Sequence, residues 1–248
     1  MLRRFIQLNI SASKAFDRLL PAYFSVDGNR DFVENFAFRY INKGTIVVDV
    51  GGGKSPFLSL EKKREFQVKV TGIDISEEEL NQAPSGAYDS IVCADIGKVK
   101  GTGDADIVIC QAVLEHVMDT EAGIKAIASC LKPGGTALIF VPSRNALYAR
   151  LNLLLPEEFK KKLLYWVYPN SRRNQGFTSY YDRCTPKQFN AMTKAAGLEV
   201  IEARYYFISS YFSFLFPIYV AWRLWMVAFK LIIGEQAAET FSLALRKI

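Results

Sequence analysis

The sequence has few of the residues that build metal centres and disulfide frameworks. Its 248 residues include a single histidine, His116, and four cysteines that lie far apart and form no CxxC pair. No metal site and no disulfide framework is therefore predicted, and the reducing cytoplasm is the expected compartment. The N-terminus also lacks the apolar run and small-residue cleavage site of a secretory signal.

Disorder is excluded by composition. Hydrophobic residues make up 50% of the chain and charged residues 23%, so a large core can form. No internal repeat or low-complexity tract appears. The length fits one α/β domain, and we predict a single domain over residues 1–248 with an N-terminal helical cap at residues 1–40.

Positive charge exceeds negative charge, and the excess lies in one segment. Lys and Arg number 31 against 25 Asp and Glu, giving a net charge of +6. Residues 144–187 hold nine basic and three acidic residues, which alone accounts for that net charge. The first 16 residues also carry basic residues and no acid. An anionic partner such as a phosphate compound, a nucleic acid or an acidic lipid is indicated.

Short β-branched runs alternate with helical stretches, which is typical of a parallel sheet with helices on both faces. Strands are predicted at residues 45–50, 68–73, 90–93, 106–110, 136–141, 198–207 and 241–247. Helices are predicted at residues 57–67, 120–131 and 186–196, and the run KPGG at residues 132–135 should end the second of them. The sequence therefore predicts a Rossmann-like α/β fold.

A glycine turn follows the first strand. Gly51 and Gly53 fit a dinucleotide fingerprint, but Pro56 stands where its third glycine is required, which argues against NAD. The run VVDVGGG at residues 47–53 instead resembles the first motif of class I S-adenosylmethionine-dependent methyltransferases. GIDIS at residues 72–76, CADI at 93–96, IVICQAVLEHV at 107–117 and LKPGG at 131–135 resemble the motifs that follow, in the same order. The resemblance implies a seven-stranded sheet of order 3-2-1-4-5-7-6.

The resemblance also implies which residues bind the adenosine half of the cofactor. Asp74 should accept hydrogen bonds from both ribose hydroxyls, and Ile75 should pack against the adenine. Asp95 should accept from the adenine amine, with the Ile96 amide nearby. A lone aspartate at a strand end can equally be a turn former or a helix cap.

The methionine half of the cofactor is expected to lie against the glycine turn. By resemblance, Asp49 should face its ammonium group, Gly51 and Gly53 should leave room for it, and Gln111 should offer its backbone carbonyl. Ligands of open parallel sheets bind at the carboxyl ends of the strands, and all four residues follow or end predicted strands.

His116 is the candidate catalytic residue. It lies just after the fourth strand, and an imidazole can accept the proton that a hydroxyl acceptor loses during methyl transfer. A role in packing or in positioning the cofactor is the alternative. Glu115 is expected on a helix surface or at a helix cap.

Two segments outside the sheet are expected to determine which acceptor the protein binds. Residues 142–186 form a predicted lid insertion, whose helical part combines Lys160, Lys161 and Lys162 with Leu163, Leu164 and Trp166 and is followed by Arg172, Arg173 and Arg183. Such a basic, aromatic helix suits an anionic membrane surface. A solvated lid is the alternative, and RNA is disfavoured because the basic residues alternate with leucine and tryptophan.

The second segment is apolar and aromatic. Residues 205–222 contain no charged residue, and residues 205–229 hold eleven of the 33 aromatic residues. The last strand must return to the same sheet, so we predict that residues 208–238 form a membrane-facing hairpin or a helix lying in one leaflet, with Trp222 and Trp225 at the headgroup level. A hydrophobic homodimer interface is the alternative.

These features predict a methyltransferase peripheral to the cytoplasmic face of the membrane. Its expected reaction is O-methylation of a membrane-associated acceptor, such as a lipid-linked glycan or a lipid. A C-methyltransferase of prenylquinone biosynthesis and a non-catalytic membrane-associated adaptor of the same fold are the alternatives. No nucleic-acid partner is expected.

Overall fold

The computed structural model describes residues 2–156, 177–208 and 212–248, and seven strands within these residues form one sheet of order β3-β2-β1-β4-β5-β7-β6. β7 runs antiparallel to its neighbours β5 and β6, whereas the other pairs are parallel. The predicted fold class and strand order are confirmed. The strands are β1 (Ile46–Val50), β2 (Lys69–Asp74), β3 (Ser90–Cys93), β4 (Ala105–Gln111), β5 (Leu131–Pro142), β6 (Leu198–Tyr206) and β7 (Thr240–Lys247).

Helices precede the sheet and connect its strands. They are α1 (Leu2–Asp17), α2 (Gly28–Asp31), α3 (Leu60–Phe66), α4 (Glu77–Asn81), α5 (Thr120–Cys130), α6 (Leu147–Leu154), α7 (Pro186–Ala195) and α8 (Phe216–Ile233). Several begin at a side-chain cap. Ser59, for example, accepts a hydrogen bond from the Lys62 amide, which is why α3 begins later than the predicted residue 57.

Two hydrophobic cores cover the two faces of the sheet. Consecutive residues of β4 alternate between them: Val108 lies in the core shared with α5 and α7, and Ile109 in the core shared with the N-terminal segment. Phe32 and Phe36 of that segment stack on each other and fill the second core. The sheet is therefore buried on both faces, as parallel strands require.

The run KPGG ends α5 in a different way from the prediction. The helix stops at Cys130, and Leu131 already pairs with Ala105 of β4. A register shift follows, and regular pairing resumes between Thr136 and Ile107. Residues 132–135 thus form an irregular part of β5, where Gly134 has φ = 76°.

Of the two forms predicted for the apolar segment between β6 and β7, a hairpin or a helix, the described residues form a helix, α8. Trp222, expected at the headgroup level, is buried inside the protein together with Tyr219, whereas Trp225 is exposed. The fully buried Arg223 explains this orientation, because it ion-pairs with Asp17 of α1 and holds one face of α8 against the protein. Sequence alone did not indicate that a charged residue lies on the inner face.

A third, smaller hydrophobic cluster joins the segments outside the sheet. It contains Phe24 of the N-terminal segment and Trp222 of α8, and Leu147 of α6 packs against it. The cap, the start of the predicted lid and α8 therefore share one core.

The basic part of the predicted lid is only partly within the described residues. Lys160, Lys161, Lys162, Leu163, Leu164, Trp166, Arg172 and Arg173 lie outside them. Arg183 lies within them and forms ion pairs with Asp119, Glu121 and Asp182. The charge of Arg183 is thus paired with acidic side chains of its own chain.

Candidate functional site

The predicted cofactor residues meet at the carboxyl edge of the sheet. In register, Val50 of β1 pairs with Ile73 of β2 and with Cys110 of β4. Asp74 of β2 pairs with Cys93 of β3. The four strand ends therefore bring together the residues assigned to the cofactor: Asp49, Gly51, Gly53, Asp74, Ile75, Asp95, Ile96 and Gln111.

The turn after β1 requires three consecutive glycines. Gly51 and Gly53 have φ values of 72° and 47°, in the left-handed region. A Cβ atom at Gly51 would overlap the Val113 side chain, and one at Gly52 would overlap the Asp49 carboxylate. The sequence reasoning assigned no role to Gly52, yet its lack of a side chain is what lets the Asp49 carboxylate lie under the turn.

Asp49 supports the shape of this turn. It is buried, and its Oδ2 accepts a hydrogen bond of 2.8 Å from the Phe57 amide. The Tyr88 hydroxyl lies 3.0 Å from the Gly53 carbonyl oxygen and also within hydrogen-bonding reach of the Asp49 carboxylate, and it can donate its single proton to either of them. Burial raises the pKa of the Asp49 carboxyl to about 6, and these hydrogen bonds limit the rise. The predicted contact of Asp49 with an ammonium group stays a prediction, because one carboxylate oxygen is used within the loop.

The Asp74 carboxylate lies at the end of β2 and faces the glycine turn. Its Oδ1 accepts from the Ser76 amide at 2.9 Å, and its Oδ2 lies beside Gly53, 3.1 Å from where a Cβ would stand. Burial raises the pKa of the Asp74 carboxyl, and the neighbouring Glu79 raises it further. Glu79 in turn forms an ion pair with Lys54, with Nζ 2.9 Å from Oε1, so the lysine that follows the glycine turn is directed to this side chain of α4.

The residues expected around the adenine differ in exposure. Ile75 is exposed and available for packing against a ring. Asp95 uses Oδ1 to accept from the Gly97 amide at 2.9 Å, capping a short 3-10 turn. The Ile96 side chain is buried in the core, which leaves its amide as the group that can face a ligand. Their binding roles remain predictions.

Gln111 connects the site to the N-terminal cap. Its side-chain amide donates to the Asn29 side chain of α2 at 2.8 Å. The following residue, Ala112, has φ = 54°, which turns the chain away from β4.

A cavity of about 260 Å³ opens between the glycine turn and the end of β4. It is lined by Asp49, Val50, Gly51, Gly52, Ser55, Phe57, Gln111 and Ala112. A carboxylate, glycine backbone and a side-chain amide around a small space suit the amino-acid end of S-adenosylmethionine, and the Asp74 carboxylate beside Gly53 suits its ribose. The residues present therefore fit the cofactor.

His116 is held by contacts with the last part of the predicted lid, shortly before α7. Its Nδ1 lies 3.0 Å from the Thr178 carbonyl oxygen and 3.3 Å from the Ser179 hydroxyl. Because a carbonyl only accepts hydrogen bonds, Nδ1 carries the proton and donates. Nε2 is then the nitrogen whose lone pair is available to accept a proton.

Glu115 is a buried carboxyl, and its expected surface position is wrong. The chain after β4 forms a 3-10 turn that directs this side chain inwards. Within the part of the chain that the structure describes, Glu115 Oε2 has no hydrogen-bond partner. Burial raises the pKa of the Glu115 carboxyl to about 8, so it is mostly protonated at neutral pH. Its Oε1 lies 3.8 Å from His116 Nε2.

Glu115 should make the protein less stable as the pH rises. Its pKa rises from an ordinary value of 4.5 when unfolded to about 8 when folded, so the folded state holds the proton that the unfolded state has lost. The free energy of unfolding should fall between these pH values, by on the order of 4 kcal/mol for this group. The substitution Glu115→Gln should remove that fall, which denaturant unfolding at pH 5 and pH 8 measures.

The exposed Glu77 provides the control for this measurement. Glu77→Gln should keep the wild-type difference in stability between the two pH values, because its carboxyl lies at the surface of the protein. An equal pH dependence in Glu115→Gln and the wild type would show that the buried carboxyl does not hold its proton.

Comparison with known sequences identifies the family. A family model described as a methyltransferase domain matches residues 24–203. A ubiquinone biosynthesis O-methyltransferase of Idiomarina loihiensis is 32% identical over 177 residues, covering 68% of this chain and 67% of the relative. One of Cupriavidus pinatubonensis is 28% identical over 168 residues, covering 65% and 63%. The matched region thus spans about two thirds of these relatives' length.

Solved structures agree on the fold. The S-adenosylmethionine-dependent methyltransferase of Mesorhizobium loti superposes with a TM-score of 0.54 at 15% identity, covering 84% of this chain and 93% of that one. Phosphoethanolamine N-methyltransferase 2 of Haemonchus contortus, in complex with S-adenosyl-L-methionine, gives 0.53 at 18%, covering 88% and 52%. The predicted enzyme class and cofactor are confirmed, against the adaptor alternative. The glycine turn, the strand-end acids and the matched domain all lead to one conclusion: this chain belongs to the class I methyltransferase family and is an S-adenosylmethionine-dependent enzyme.

Proposed function

We propose that the enzyme methylates a hydroxyl oxygen and that His116 accepts the hydroxyl proton. The observation that carries this proposal is the 3.0 Å contact between His116 Nδ1 and the Thr178 carbonyl, which keeps the proton on Nδ1 and the lone pair on Nε2. A non-catalytic adaptor of the same fold has no need for a fixed proton acceptor.

Methyl transfer to a hydroxyl requires the protein to align the two reactants and to accept a proton. When bound, S-adenosylmethionine supplies a methyl group on a sulfonium, and its loss leaves a neutral thioether. As the acceptor oxygen receives the methyl group, His116 Nε2 would take up the proton that this oxygen gives up. The strand-end residues and the His116 contacts provide the alignment, which is where most of the rate of such a displacement arises.

The acceptor proposed is a phenolic ring that carries an apolar chain. Phe177 and Met118 are exposed beside His116, and the Phe177 ring centroid is 6.3 Å from that of the imidazole. An aromatic, apolar molecule fits these neighbours, and a phenol is more acidic than an aliphatic alcohol, with a pKa near 10. The relatives are named ubiquinone biosynthesis O-methyltransferases, which supports a prenylated quinone precursor over the glycan first expected.

Basic residues give the anionic glycan less support than the sequence suggested. Of the basic residues between positions 144 and 187, Arg183 is engaged in three ion pairs within the protein, and all others except Arg144, Arg150 and Lys187 lie outside the described residues. A lipid-linked glycan or a lipid is therefore kept as an outcome of the test.

Transfer of a labelled methyl group identifies the acceptor. The purified enzyme is incubated with labelled S-adenosylmethionine and bacterial membranes, and the products are separated into prenylphenol, phospholipid and lipid-linked glycan fractions. We expect the label in the prenylphenol fraction as a methoxy group, shown by NMR. A labelled methyl group on a ring carbon would establish C-methylation. Label in the glycan or phospholipid fraction would show that a lipid-linked glycan or a lipid is the acceptor.

A further inference from the structure

Helix α8 presents an apolar face to solvent. Every exposed residue between positions 216 and 233 is uncharged and apolar: Pro217, Ile218, Ala221, Leu224, Trp225, Ala228, Leu231 and Ile232. Their spacing of three and four residues places them on one side of the helix, and we call them the α8 stripe. Leu224 is 56% exposed, Trp225 53% and Leu231 83%. A stripe this long and free of polar residues indicates an interaction surface.

The stripe cannot turn inwards, because the opposite face of α8 is anchored. Arg223 is 0% exposed, pairs with Asp17 at 2.9 Å and donates to the Phe207 and Phe24 carbonyls. The Tyr219 hydroxyl donates to the other oxygen of Asp17. Such a buried charge network is costly to break, so α8 keeps this rotation about its axis.

The other charge of α8 is also turned towards the protein. Lys230 Nζ lies 2.6 Å from Glu235 and 4.7 Å from the centroid of the Phe207 ring. Both cations that interrupt the apolar sequence are thus engaged by the protein body. The sequence reads as an interrupted apolar run, whereas the outer face of the helix has no interruption.

By length and composition, residues Phe216–Ala237 could cross a membrane. The fold excludes a crossing, because β7 follows directly and pairs with both β5 and β6. The inner face of α8 also belongs to the third hydrophobic cluster of the protein. A helix packed against the protein on one side and apolar on the other is suited to lie in the plane of a membrane interface.

A second copy of the chain is the alternative occupant of the stripe. Stable protein interfaces bury about 800 Å² on each partner, and the oligomeric state of wild type and variants separates this alternative from lipid binding.

The neighbouring helix α1 supplies the matching charge. It contacts α8 through the Asn9 side chain, which accepts from the Phe216 amide at 2.8 Å. Helix α1 exposes three basic residues, Arg3, Arg4 and Lys14. Its acidic residue, Asp17, is buried in the ion pair with Arg223. Exposed cations on a helix that contacts α8, together with an apolar stripe that contains a tryptophan, are a combination that suits anionic lipid headgroups.

We propose that the α8 stripe inserts into the interface of an anionic lipid bilayer, with the basic residues of α1 on the headgroups. Helix α8 follows β6, whose carboxyl end lies at the edge of the sheet that holds the cofactor residues. Binding by this face brings that edge to the membrane. An apolar acceptor could then reach the site without passing through water. This proposal about the α8 stripe does not depend on which hydroxyl the enzyme methylates.

Vesicle cosedimentation of the full chain tests the proposal. Wild type should bind vesicles of phosphatidylcholine with phosphatidylglycerol more tightly than phosphatidylcholine alone, and added salt should weaken the binding. The double variant Leu224→Glu/Trp225→Glu should bind the mixed vesicles at least tenfold more weakly, and Arg3→Glu/Arg4→Glu should lose the preference for phosphatidylglycerol. Val200→Glu, which places the same change on the exposed edge strand β6, should bind as wild type does.

Calorimetric binding of S-adenosylmethionine shows that each variant is folded. Equal vesicle binding by wild type and the α8 double variant would overturn the proposal, as would a wild type that binds neither vesicle. A wild-type dimer that the double variant dissociates, without any vesicle binding, would assign the stripe to a second copy. A loss of thermal stability in the double variant, with vesicle binding unchanged, would show that the protein's own chain covers the stripe.

Discussion

Replacing Asp74 by alanine should weaken the binding of S-adenosylmethionine at least 100-fold. The Asp74 carboxylate lies at the end of β2, and its Oδ2 faces the glycine turn beside Gly53. Two hydrogen bonds from ribose hydroxyls to a charged acceptor contribute about 1.5–3 kcal/mol each, and their loss corresponds to this factor or more. Isothermal titration calorimetry measures the change directly.

The same carboxylate should make cofactor binding depend on pH. Burial and Glu79 raise the pKa of the Asp74 carboxyl, so it takes up a proton at a higher pH than an exposed aspartate does. A protonated carboxyl accepts fewer hydrogen bonds, and the affinity should therefore fall as the pH is lowered through that pKa. The substitution Asp74→Asn should bind weakly at all pH values and lose this dependence.

A neighbouring acid separates a direct contact from a general electrostatic effect. Glu77 is exposed, lies three residues further along the chain and can be replaced by glutamine without touching the turn. Glu77→Gln should bind S-adenosylmethionine as wild type does. Undiminished affinity in Asp74→Ala would remove Asp74 from the cofactor site and reopen the assignment of the whole strand edge.

Replacing His116 by glutamine should lower kcat by about 10² to 10⁴, the range that a positioned general base contributes. Glutamine can still donate to the Thr178 carbonyl but cannot accept the acceptor's proton. Binding of S-adenosylmethionine should change little, because the predicted cofactor ligands lie on other residues. The measurement is turnover at saturating acceptor, together with its dependence on pH.

The pH profile distinguishes a base from a packing residue. If His116 accepts the proton, the rise of kcat with pH in the wild type should disappear in His116→Gln. A residue that only packs would lower kcat by the same factor at every pH. Lys125→Ala, on the exposed side of α5, is the control that should leave turnover unchanged. Full turnover by His116→Gln would exclude the general-base role.

The strand-end residues could be read from the sequence because the information is local. Asp49, Asp74 and Asp95 each follow a short β-branched run, and parallel strands bring such ends to one edge whatever the rest of the chain does. The helix starts at Ser59 and Ser76 are also local, since each cap needs an amide three residues away. The sheet order was supplied by resemblance to the family.

The roles of Tyr88, Glu115 and Asn29 could not be read in the same way. Tyr88 reaches the glycine turn from the loop before β3, and Asn29 reaches Gln111 from the N-terminal cap. No spacing in the sequence marks these contacts. Glu115 stands in a stretch that can equally form a surface helix, and only the 3-10 turn after β4 directs its carboxyl into the core.

The sequence by itself determined the parallel sheet, the glycine turn, the acids at the strand ends and the single histidine after β4. Only the tertiary structure decided which groups are buried and which are free. Asp17 and Arg223 pair across almost the whole chain, and that pair turns the apolar side of α8 outwards. A side chain's burial depends on what packs against it, and the packing partners of these residues come from distant parts of the sequence.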